Sequence, residues 1–135
     1  MEALLHHIHI KSRNPRGSAR WWVEMFGAEL LPETEFRDMV FAPIRLDGVQ
    51  ITITGLGEAE AAATADPPAI PHFGLEHVGI LVDDLDGVLD RFRDQGLPVY
   101  ERRPGAGGFE IAFVGTPDGV CLELLERPPE QGEAP

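Results

Sequence analysis

The chain carries one layout twice, the second copy about seventy residues after the first. His7 lies 70 residues before His77, and Asp47-Gly48 lies 71 before Asp118-Gly119. In each half an alternating stretch, "HHIHIKS" or "EHVGILVD", precedes a helix with both ends marked. The first helix is expected over 14–27, with Asn14 as N-cap, Pro15 at the first helical position and Gly27 as the left-handed stop. Ala19, Trp22, Val23 and Phe26 recur at helical spacing as its buried stripe, leaving Trp21 partly exposed or facing a second subunit. The second is expected over 84–96, capped by Asp84, stopped by Gly96 and striped by Leu85, Val88, Leu89 and Phe92.

Three strands follow each helix: "ELLPE", "DMVFAPIRL" and "GVQITITG", then "LPVYERR", "FEIAFVG" and "GVCLELLE". Turns are expected at Asp47-Gly48 and Pro117-Asp118-Gly119. The reading is one domain, 1–135, of two tandem βαβββ modules at 4–55 and 74–126, joined by a linker over 56–73 and ending in a disordered tail over 127–135. The run "PGAGG" lacks the Lys-Ser/Thr ending of a phosphate loop and precedes a strand, so it reads as a flexible loop.

The formal charge of -12, with one lysine and ten scattered arginines, argues against nucleic acid or an anionic membrane as partner. No apolar run is long enough to span a bilayer, and the first residues lack the layout of a secretion signal. The single cysteine, Cys121, cannot form an internal disulfide, so a cytoplasmic location is expected.

Alternation along an extended chain puts His7, His9 and Lys11 on one face, opposite Ile8, Ile10 and His6; a slip of one residue would exchange His6 and His7. Glu123 stands between Leu122 and Leu124 and so points away from their apolar face, with Cys121 on its own side; Gln50 and Thr52 likewise share a face. A buried carboxylate needs a partner, and a metal ion is a good one. Glu126 reads as a solvent-exposed strand end, and His72 as part of the linker.

Taken together, "HHIHI", "EHVGILVDDLD" and "AFVGTPDGVCLELLE" resemble the vicinal oxygen chelate superfamily, which includes glyoxalase I, extradiol dioxygenases and the fosfomycin and bleomycin resistance proteins. The resemblance covers nearly the whole chain. It implies an α+β fold in which the two modules form an open, curled mixed β-sheet, a half-barrel with helices outside. It implies a divalent metal (Fe, Mn, Co, Ni or Zn) held by His7, His77 and Glu123. Thr52 falls where glyoxalase I typically has a fourth, carboxylate ligand. Gln50, Thr52 and Cys121 are expected to line the cavity, and His9 or Glu123 to move a proton. The activity implied first is a glyoxalase-like lyase or isomerase, acting on a small substrate that chelates the metal through neighbouring oxygens. A non-heme iron extradiol-type dioxygenase with the same triad is the second, and a small-molecule binding or resistance protein without catalysis the third. Many relatives pair, so a homodimer is expected.

Overall fold

The computed structural model describes residues 1–130. The chain divides into two compact units, Met1–Ala65 and Asp66–Pro135, each with one helix and one open mixed sheet. Among the described residues neither sheet closes into a barrel, and the fold is α+β. The last five residues of the expected tail, 131–135, lie outside the described residues.

In the first unit, strand β1 (Ile8–Lys11) leads into helix α1 (Pro15–Phe26). Strands β2 (Glu29–Leu30), β3 (Thr34–Phe36), β4 (Met39–Leu46) and β5 (Val49–Thr54) follow. β5 lies between β1, which it meets in parallel, and β4, which it meets antiparallel. The Asp47-Gly48 turn forms as expected, with both residues at positive φ. β3 is an addition to the sequence reading. It pairs with β4 through Arg37 and Asp38, two non-glycine residues at φ 49° and 59°. Arg-Asp is not a sequence signature of such a tight turn, which favours Asn-Gly or Asp-Gly, so this hairpin is invisible from composition alone.

The second unit repeats the plan: β6 (Val78–Val82), helix α2 (Leu85–Asp94), β7 (Val99–Pro104), β8 (Glu110–Gly115) and β9 (Cys121–Glu126). The order is β6-β9-β8-β7, with β6 and β9 parallel. The loop after β7 is short, closed by a hydrogen bond from Gly105 N to Phe109 O at 2.7 Å.

Both helices start in the same way. Asn14 Oδ1 accepts from Gly17 N at 3.1 Å, and Asp84 Oδ1 accepts from Gly87 N at 3.0 Å. A Cβ at either glycine would collide with the capping side chain, so the third helical position is left bare in both. Replacing Asp84 by Ala is expected to cost about 0.5–2 kcal/mol of stability, read as a lower urea midpoint.

Each helix covers one face of its own sheet. Leu85, Leu89 and Phe92 of α2 and Ala112, Val114, Leu122 and Leu124 of the sheet beneath it are all fully buried. Ile10, Ala42, Ile44, Ile51 and Ile53 are likewise buried in the first unit. The stripe of α1 differs from the expected one. Ser18, Ala19, Trp21, Trp22 and Met25 are buried, while Val23 and Phe26 are only half-buried. Trp21 is 8% exposed, its ring edge-on to Trp22 at 5.5 Å and to Phe26 at 5.7 Å. The two indoles carry the largest apolar areas on the helix, so rotating it to bury both outweighs full burial of Val23 and Phe26.

Candidate functional site

In the second unit strand alternation sends Leu122 and Leu124 toward the core and Glu123 to the opposite face. Glu123 is in register with Gly79 on β6 and Phe113 on β8. His77, two residues before Gly79, brings its Nε2 to 3.9 Å from Glu123 Oε2. Its ring lies edge-on to Phe113 at 5.3 Å. Both side chains keep partial access to solvent, 31% for His77 and 21% for Glu123.

Glu76, absent from the expected set, completes this arrangement. Its Oε1 lies 2.9 Å from His77 Nδ1, and its Oε2 accepts from His72 N at 3.3 Å. An ionised carboxylate only accepts, so Nδ1 donates to Glu76, and Nε2 is the ring nitrogen on the Glu123 side. That hydrogen bond from His77, followed by the one from His72 N, outweighs partial desolvation and holds the Glu76 carboxyl below the usual range. A carboxylate behind a histidine is the usual support of a metal-ligating imidazole. Two donor atoms sharing an ion through bonds of about 2.0–2.2 Å stand roughly 3.0–3.5 Å apart, so a small side-chain rotation from 3.9 Å suffices. An imidazole nitrogen and a carboxylate oxygen are donors of the kind a divalent transition-metal ion takes, and this pair supplies two of them. Alternation gave no hint of Glu76, because adjacent strand residues face opposite ways; it reaches His77 because both precede β6.

The first unit has the same register with different side chains. Glu123 pairs with Gly79, two residues after His77; Thr52 pairs with His9, two residues after His7. Thr52 is therefore the internal counterpart of Glu123, and Pro43 that of Phe113. His7, just ahead of β1, is exposed and shares a 2.8 Å hydrogen bond with His6 between their Nδ1 atoms, one ring donating and the other accepting. His9 Nε2 lies 2.7 Å from Thr54 Oγ1, and its ring centroid is 5.9 Å from that of His7. Partial burial, then the positive neighbours Lys11 and His7, push its pKa below the ordinary histidine value against the opposing pull of Glu60. The imidazole is thus predominantly neutral at pH 7. Thr52 is buried and accepts from Gln50 Nε2 at 3.2 Å. Among the described residues, no three His, Cys, Asp or Glu side chains are placed to hold a metal ion together.

Cys121 is buried on β9, and desolvation, then the charges of Glu76 and Glu123, raise its thiol pKa. Its reaction with a disulfide reagent at pH 8 is expected to be at least about tenfold slower than that of free cysteine, and to reach the free rate in denaturant. Glu126 corrects its reading as a solvated strand end. It is half-buried, and its Oε1 accepts from Leu85 N at 2.9 Å, satisfying a donor at the start of α2. No helix among the described residues is long and apolar enough to cross a membrane.

Comparison with known proteins follows the same lines. The chain is 24% identical to glyoxalase I of Saccharomyces cerevisiae over 154 aligned positions, covering 98% of this chain and 47% of that protein. It thus spans about half the length of this curated relative. The structure of a glyoxalase family protein from Enterococcus faecalis superposes with a TM-score of 0.70 at 24% identity, over 91% of this chain and 97% of the other. A fosfomycin resistance protein of Listeria monocytogenes, solved with Mn(II) and 1S,2S-dihydroxypropylphosphonic acid, superposes at 0.67 with 16% identity, over 93% of each chain. Residues 6–113 match the profile of one family. With its two helices, its two open sheets and a sequence match over most of its length, the chain belongs to the glyoxalase/bleomycin resistance protein/dioxygenase superfamily.

Proposed function

We propose that this protein is a metal-dependent enzyme of the glyoxalase type, a lyase or isomerase acting on a small molecule with two neighbouring oxygens. His77 and Glu123 are ligands of its divalent ion, and His7 holds the equivalent place in the first unit. The observation that carries this reading is the His77 ring, held at Nδ1 by Glu76 with Nε2 turned toward Glu123. The Mn(II) in the Listeria protein supports it by analogy. Bound there, a divalent ion stabilises negative charge developing on chelating oxygens.

The remaining work falls to side chains. Glu76 fixes the tautomer and orientation of His77. His9, neutral near pH 7 and held at Nε2 by the Thr54 hydroxyl, takes a proton from the carbon next to a carbonyl and returns it. Gly79, opposite Glu123, puts no side chain of its own beside the carboxylate, and Leu125 Cδ1 would lie 3.5 Å from a Cβ there.

Thr52 favours a second reading. Buried and bonded to Gln50, it supplies no second carboxylate, and a ligand set of imidazoles with a single carboxylate suits a non-heme iron dioxygenase. Two measurements test these readings. Elemental analysis of protein purified without added metal should find about one divalent ion per chain, lost on changing Glu123 to Ala. Anaerobic Fe(II) loading followed by oxygen uptake with catechol separates the chemistries: no uptake agrees with the lyase or isomerase, and stoichiometric uptake replaces it with the dioxygenase.

A further inference from the structure

The face of the second sheet that carries Glu123 also carries one cation. Glu101, Phe113 and Glu123 are in register across β7, β8 and β9, and so are Arg103, Ile111 and Leu125. Among the described residues, Arg103 is the one lysine or arginine on this face within β6–β9. Its guanidinium carbon lies over the Phe113 ring at 5.9 Å, and the edge of that ring meets His77 at 5.3 Å. The cation and the imidazole of the proposed metal site therefore neighbour the same aromatic ring.

The geometry points to Arg103 as the residue that selects a substrate bearing a carboxylate or similar anion on the side away from its chelating oxygens. This rests on the metal reading above. The chain's charge of -12 repels an anionic ligand, and Glu76, Glu101 and Glu123 surround the site, so anion binding requires a local cation. Arg103 is ready for that role. Its side chain is 49% exposed; Nε contacts Glu101 Oε1 at 3.0 Å and Nη1 donates to Pro104 O at 3.2 Å, while nothing among the described residues engages Nη2. Exposed ion pairs such as Arg103–Glu101 contribute little, so a ligand carboxylate displaces Glu101 at small cost. The guanidinium fork then binds it through two parallel hydrogen bonds, and stacking on Phe113 holds the fork's plane. Leu81, Leu125 and Ile111 make the rest of this face apolar, which suits a flat hydrocarbon body between the two polar ends.

The probes are catechol and 3,4-dihydroxybenzoate, which share the neighbouring oxygens and differ by one carboxylate. Their affinities for Mn(II)-loaded protein are measured by isothermal titration calorimetry, with circular dichroism confirming that each variant is folded. Wild type is expected to bind the carboxylate probe about 10- to 100-fold more tightly. Arg103→Met removes that preference and leaves the catechol affinity within about twofold. Arg103→Lys keeps part of it, since an ammonium supplies charge without the fork. A wild type with no preference, or an Arg103→Met protein that retains it, overturns the assignment. Failure of the metal reading registers separately, as a catechol affinity unchanged by Mn(II), and the carboxylate preference still decides the role of Arg103.

Discussion

Changing Glu123 to Ala is expected to lower divalent-metal affinity by more than about 100-fold, beyond the loss typical of a supporting residue. The carboxylate is the only anionic group among the proposed ligands, and removing it takes away the charge that attracts the cation. Glu123 lies on the face away from α2 and is partly solvated, so the fold should survive with little change in melting temperature. Changing Glu76 to Gln should cost about 10- to 100-fold in the same assay, because an amide supports the imidazole more weakly than a carboxylate. Equal affinity in Glu123→Ala and wild type would remove Glu123 from the ligand set.

Phe92→Ala is expected to destabilise the second unit by about 3–5 kcal/mol. Phe92 is fully buried on α2, alongside Leu85 and Leu89, and α2 packs on β7, β8 and β9. Its loss removes transfer free energy and leaves a cavity that three strands and a helix cannot close. The equilibrium urea midpoint should fall with the slope unchanged. Because β9 carries Glu123 and β8 carries Phe113, the loosened sheet should also weaken metal binding. A loss under about 1 kcal/mol would mean that α2 does not hold the sheet as described.

Much of the architecture is readable from local chemistry. Asn14, Asp84 and Gly27 mark helix ends with side-chain and backbone requirements that few residues satisfy, and each acts as expected. Asp47-Gly48 forms its turn for the same reason. The repeat adds what local rules lack: it equates His7 with His77 and Thr52 with Glu123, and the strand registers repeat in the same way. What escapes the sequence depends on tertiary competition. Trp21 is buried because two bulky rings outweigh Val23 and Phe26 in setting the rotation of α1. β3 depends on left-handed backbone at Arg37 and Asp38, and Arg at the first of these positions hides a turn that Asn-Gly or Asp-Gly would announce. Glu76 and Glu126 are bound by atoms on other segments or just outside a strand, where alternation makes no statement.

The proposed metal centre rests on His77 and Glu123 of the second unit, 3.9 Å apart. Anomalous diffraction from a crystal of the metal-loaded protein, collected at that metal's absorption edge, tests it directly. One strong peak is expected at about 2.0–2.2 Å from a nitrogen of His77 and an oxygen of Glu123. A peak remote from either side chain, or no peak, would contradict it.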